Sequence, residues 1–163
     1  MKLYVKDLYE MQDKLDQRIF DEHGITRIET MNRRMLALLI EIGELANETR
    51  CFKFWSNKGA SSKDVILEEY ADGIHFLLSL GIDLKDKENE IELVALDGEL
   101  SDAFLMIYDM ANELSRHFSL TNYYMLFGAY LSIAQMLGYS CEDIRDHYLL
   151  KNKENHHRQD VNY

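Results

Sequence analysis

The sequence predicts an all-α fold, a single-domain helical bundle of about six helices spanning residues 1–163. Three observations carry this reading. Apolar residues recur at helical spacing along most of the chain, the pattern of amphipathic helices burying one face. There is no proline, so no residue removes a backbone donor or forces a kink inside a helix. Ser/Thr caps and glycine-containing breaks divide the chain into pieces of helix length. With 47% hydrophobic and 29% charged residues, the chain is apolar enough for a real core, and a disordered class is excluded.

Leu8, Met11, Leu15 and Ile19 share one face, placing a first helix over 4–20, ended by Asp21-Glu22-His23-Gly24. A second covers 26–50, with Met31, Met35, Leu38, Ile42 and Leu45 in its stripe. The period is lost over KFWSNKGASSK (53–63), which reads as a loop. Ser62 is the expected N-cap of a third helix, with Asp64 in its first turn and Gly81 as its stop. Residues 82–90 form a polar connector. A fourth helix is expected over 91–117, carrying Leu93, Leu100, Phe104, Ile107 and Leu114. Thr121 is the expected cap of a fifth, running to Gly138. Ser140 with Asp143 reads as a capping box opening a sixth. No strand, internal repeat or linker is expected.

The chain has 29 acidic and 18 basic residues, a formal charge of −11. Such a field repels nucleic acid and anionic membranes. No stretch reaches the ~18 apolar residues of a membrane-spanning helix, and MKLYVKDLYE is not a signal peptide. A cytoplasmic, soluble protein is therefore expected. Cys51 and Cys141 are too few for a disulfide scaffold or a cysteine zinc site.

Chemistry concentrates in four acids. Glu41 and Glu44 on the second helix, and Glu69 and Asp72 on the third, are each three apart and so share a helix face. Both pairs lie among apolar residues. If the helices pack antiparallel across their loop, four carboxylates converge at partly buried positions. Burying that charge unneutralised costs several kcal/mol per ion, and protonation or divalent cations relieve it. An all-oxygen donor set favours Mg2+ or Mn2+ over zinc. The competing reading is a solvated acidic face. Asp72-x-x-His75 and Glu154-x-x-His157 also have the spacing of a ferritin-like di-iron site, but the second lies in a polar stretch unlike a bundle interior.

That stretch, RDHYLLKNKENHHR (145–158), carries four Lys/Arg against two acids. Lys151, Asn155 and Arg158 share a face if the helix continues, a plausible phosphate clamp. An acidic cation site beside a basic clamp suits a polyphosphate ligand.

In its motifs the chain resembles the dimeric, all-α dUTP pyrophosphatases, relatives of the MazG-like nucleotide pyrophosphohydrolases. The superfamily pattern ExxE, spacer, ExxD reads here as Glu41-x-x-Glu44, 24 residues (45–68), Glu69-x-x-Asp72. EIGELANETRCFKFWS (41–56), EEYADGIHFLLSLG (68–81) and YLLKNKENHHRQDVNY (148–163) resemble the dUTP branch more specifically, and with MQDKLDQRI near the start the resemblance covers nearly the whole chain.

The resemblance implies a homodimer hydrolysing dUTP to dUMP and pyrophosphate with more than one Mg2+ (or Mn2+) per site, and leaves dUDP open as a second substrate. Glu41, Glu44, Glu69 and Asp72 would be the metal ligands, and Glu41 the base toward a metal-activated water. Gln12 and Asp16 match the first-helix pair that reads uracil. Asn is expected in some relatives where Asp16 stands, and Asp13 is an alternative register. Trp55 would pack on the nucleoside, His75 touch the sugar near its 3′-OH, and Lys58 touch phosphate. Lys151, Asn155, Arg158 and Tyr163 match the C-terminal stretch that closes over phosphates and base. The rival readings are a broader MazG-like or dCTP-directed pyrophosphohydrolase and a non-catalytic acidic interaction protein.

Overall fold

Six helices form among the described residues, 1–161, of the computed structural model. They are α1 (Lys6–His23), α2 (Arg27–Thr49), α3 (Lys63–Asp83), α4 (Leu100–Arg116), α5 (Leu120–Met136) and α6 (Cys141–Asp160). Their ends follow local chemistry. Gly24 adopts the left-handed conformation (φ 61°) that stops α1. Thr26 and Glu29 form a reciprocal capping box that starts α2, and Ser140 with Asp143 does the same for α6, as the sequence predicts.

Helix α3 is the axis of the bundle. It is apolar nearly all round, burying Ile66, Leu67, Tyr70, Ile74, Leu77 and Leu78, so it needs neighbours on several sides. It packs against α1, α2, α5 and α6, most extensively against α2. Helices α2 and α3 form an antiparallel hairpin. Arg34 reaches Asp83 at one end, and the Ser61 hydroxyl donates to Glu48 at the other. Helices α4 and α5 form a second hairpin.

A tyrosine pair fixes the height of α3 against α5. The Tyr70 hydroxyl donates to the Tyr130 carbonyl at 2.9 Å, and Tyr130 returns a bond to the Tyr70 carbonyl at 3.2 Å. The two rings stack with centroids 4.5 Å apart. Gly73 makes this approach possible, because a Cβ there would lie 2.2 Å from the Tyr130 hydroxyl.

Four expectations are corrected. Residues Glu90–Glu92 (β2) are not helical; they pair antiparallel with Lys2–Tyr4 (β1), Leu3 opposite Ile91. Both central residues are buried and their neighbours exposed, the period-2 pattern of a half-buried strand. Helix α4 starts only at Leu100, after Gly98 turns the chain at φ 97°, so Leu93 precedes it. Helix α3 runs through Gly81, which is a packing residue: a Cβ there would meet the Tyr123 hydroxyl at 2.3 Å. Ser119, not Thr121, caps α5, accepting from the Asn122 backbone N–H. No helix among the described residues is long and apolar enough to cross a membrane.

Alanine in a helix interior ordinarily gains ~1 kcal/mol over glycine. At Gly73 the clash with Tyr130 outweighs that gain. Gly73→Ala is expected to destabilise the fold by ~1–3 kcal/mol, read as a fall in thermal midpoint. Unchanged or raised stability contradicts the tyrosine-pair packing.

Candidate active site

Both helices of the α2–α3 hairpin interrupt their apolar surface with polar residues at helical spacing. On α3 these are Asp72, His75, Ser79 and Asp83; on α2, Arg27, Thr30, Arg34 and Glu41. The two rows meet along a cavity of about 410 Å3, which α1 and the last turns of α6 complete. Gln12, Asp16, Glu41, Asp72, His75, Asn155 and Arg158 all line it.

At one end, single carboxylate oxygens of Glu41, Glu69 and Asp72 lie within 4.8 Å of one another. All three side chains are half-buried. Burial, then the charges of Asp72, Glu44 and Glu69, push Glu41 up to about 7. Burial followed by Asp72 and Glu44 raises Glu69. Asp72 is raised by burial despite its bond to Lys151. Glu44 is exposed and stands outside the convergent three, yet near enough to raise both glutamates.

The buried Lys151 ammonium lies 2.8 Å from Asp72 and 3.0 Å from Glu68. One ammonium cannot balance this many carboxylates. An excess of hard oxygen donors in a partly dry site fits Mg2+ or Mn2+, and among the described residues no cysteine or histidine joins the convergent three.

The opposite end is a hydrogen-bonded wall. Gln12 donates to Asp16 Oδ1 at 2.7 Å and accepts from the Tyr148 hydroxyl at 3.1 Å. His75 Nδ1 lies 2.6 Å from the same Gln12 oxygen, so Nδ1 carries the proton. That leaves His75 Nε2 an acceptor, buried without a hydrogen-bond partner. Burial, with Lys151 nearby, drives the His75 pKa down to about 3, and the ring is neutral at physiological pH. It stacks on Tyr148 at 4.3 Å.

Behind this wall sits an ion-pair frame. Arg34 binds Asp83 at 2.7 Å and the Ser79 hydroxyl at 3.0 Å. Arg27 reaches Asp13, Asp16 and Asp83 at 2.9, 3.1 and 3.1 Å.

The remaining predicted residues are placed as follows. Asn155 and Arg158 face the cavity from α6, with Arg158 also bonded to Glu154 at 2.6 Å. Trp55 is 65% exposed and rests on Phe52 and Phe54 rather than lining the cavity. Lys58 is exposed in the same loop, its carbonyl accepting from Arg50. Tyr163 lies outside the described residues. Glu154 and His157 are exposed, and among the described residues no second ExxH pair joins the acids. Arg27, Arg34, Ser79 and Asp83 were not singled out from sequence. The polar row 72, 75, 79, 83 along an apolar helix was the available signal.

Between pH 4.5, the ordinary glutamate value, and about 7, the folded protein holds more proton on Glu41 than the unfolded chain does. Stability therefore falls as pH rises through that window. In metal-free protein at pH 8, Glu41→Gln is expected to raise stability by ~1–2 kcal/mol, discounted for solvent screening. The gain should vanish near pH 4.5, where both side chains are neutral. Melting curves at both pH values check this; a loss of stability at pH 8 contradicts it.

A family model described as dUTPase matches residues 4–163. No curated protein matches the chain. The family match begins at the fourth residue and runs to the last, and the helical fold agrees with it: the chain belongs to the dUTPase family.

Proposed function

We propose that the chain hydrolyses dUTP to dUMP and pyrophosphate with Mg2+ or Mn2+, more than one ion per site, held by Glu41, Glu44, Glu69 and Asp72. The observation that carries this is the convergence of Glu41, Glu69 and Asp72 at one end of a nucleotide-sized cavity. Its other end is a wall of buried hydrogen-bonding groups. A non-catalytic acidic surface needs neither feature.

When bound, the ions neutralise phosphate charge and lower the pKa of water. The chain's own groups do the rest. Glu41 takes a proton from the water that cleaves the anhydride between the α- and β-phosphates, its carboxylate standing among the acids that would hold the ions. Asn155, Arg158 and Lys151 bind phosphate oxygens. His75 Nε2, a bare acceptor in the cavity wall, receives the sugar 3′-hydroxyl. Gln12 and Asp16 read the base. Uracil offers an N–H between two carbonyls where cytosine offers a bare nitrogen, and a buried acceptor left unpaired rejects cytosine. This reading leaves dUDP open as a second substrate.

The same reading makes the protein a homodimer acting in the cytoplasm. Leu36 and Ile40 on α2 and Leu105 on α4 hold 58%, 50% and 67% of their surface in solvent, and the two helices adjoin. Both cysteines are free, as a reducing compartment keeps them.

A panel of deoxynucleoside triphosphates with Mg2+, assayed for pyrophosphate, should show dUTP cleaved and dCTP and dTTP spared. Equal rates on all three would favour a broad pyrophosphohydrolase. Glu41→Gln should abolish turnover, a loss of at least ~100-fold, while retaining the helical spectrum; wild-type turnover would remove it as the base. Light scattering should give twice 19.2 kDa, and a monomer mass would end the dimer proposal.

A further inference from the structure

We infer that Arg27 is a positioning residue for base selection, clamping Asp16 so that one unfilled acceptor site faces the cavity and only a base with an N–H at that point is received. The inference deepens the proposed reading and rests on it for the identity of the base.

The argument is a count of acceptor positions. A carboxylate offers about four. On Asp16, Oδ1 takes the Gln12 amide at 2.7 Å, and Oδ2 takes both the Ser79 hydroxyl at 2.5 Å and the Arg27 guanidinium at 3.1 Å. Oδ2 is filled. One position remains, on Oδ1, in a residue that lines the cavity and is only 6% exposed.

An ionised Asp16 presents an acceptor there, which pairs with the N3–H of uracil or another imide base. A protonated Asp16 can carry its proton only on Oδ1, since both acceptor positions of Oδ2 are taken. The same spot then becomes a donor, matching the bare N3 of cytosine. The charge state of one carboxyl thus inverts the base preference.

The surroundings decide that state. Burial favours the neutral acid, opposed by the Ser79 and Gln12 bonds and by Arg27 and Arg34. Facing Asp16 are Gln12 on α1, Arg27 and Arg34 on α2, Ser79 on α3 and Tyr148 on α6. Asp13 and Asp83 share the guanidinium of Arg27, and Asp83 that of Arg34. Arg34 is committed to Asp83 and Ser79, so Arg27 supplies the only cation in direct contact with Asp16 among the described residues. A relative with Asn at this position would need no such counter-charge.

The test is binding of dUMP and dCMP by calorimetry between pH 6 and 9, alongside turnover of dUTP and dCTP with Mg2+. Wild type should favour dUMP increasingly as pH rises. In Arg27→Gln that preference should set in at higher pH, because loss of the guanidinium contact leaves the ionised Asp16 carboxylate less favoured. Arg27→Lys should restore most of it. Asp16→Asn should make the preference independent of pH, a result that stands even if Arg27→Gln folds poorly. Wild-type preference at every pH in Arg27→Gln, or a wild-type pH profile in Asp16→Asn, overturns the inference. If wild type cleaves no triphosphate yet binds dUMP over dCMP in an Arg27-dependent way, the hydrolytic reading fails and this one survives. If dUTP is cleaved and the preference ignores Arg27, only this inference fails.

Discussion

Like charge forced together in a half-dry place is the constraint on which this molecule turns. Glu41, Glu69 and Asp72 are carried by the two most closely packed helices, which hold their backbones near one another. Burial pushes all three toward the neutral form, with neighbouring acids adding to it, and the ammonium of Lys151 only partly relieves them. The energy to hold them there comes from the apolar interior: α3 buries residues on nearly every side, and the Tyr70–Tyr130 pair fixes its height against α5. Core packing thus maintains an electrostatic imbalance that a bound cation would discharge.

The same hairpin solves a second problem at its other end. Arg34 and Asp83 form an ion pair whose side chains are only 8% and 5% exposed. A buried pair of this kind contributes little net stability, while loss of one partner is costly. Its service is geometric. It ties the start of α2 to the end of α3, brings Arg27 and Ser79 to Asp16, and gives the cavity a hydrogen-bonding end remote from its acidic one. A nucleotide has the same polarity, with a base that asks for directional hydrogen bonds and phosphates that ask for cations.

Much of this was legible in the residues, and the failures have causes. Helices 1, 2, 3 and 6 announced themselves through apolar periodicity and caps. The fourth was started too early because Ile91 and Leu93 continue a helical stripe as well as they begin a strand; only pairing with Leu3, 88 residues away in sequence, decides between them. Gly81 read as a stop because glycine often is one, whereas here it makes room for Tyr123. Within the site, the three convergent acids could be named from spacing, but the greater exposure of Glu44 depends on how the hairpin turns. Nothing in the sequence around Arg27 and Arg34 singles them out. Their partners lie on α1 and α3, and local sequence carries no trace of a contact that tertiary packing creates.

The central claim is that the acid cluster is a divalent-cation site kept partly protonated until an ion arrives. Calorimetric titration of Mg2+ at pH 7, in two buffers of different ionisation enthalpy, tests it most directly, because ligands must shed protons to bind metal. Saturable binding should release a fraction of a proton per site, chiefly from Glu41, and that fraction should shrink toward zero by pH 8.5. The absence of saturable Mg2+ binding, or binding with no proton release at pH 7, would contradict the account.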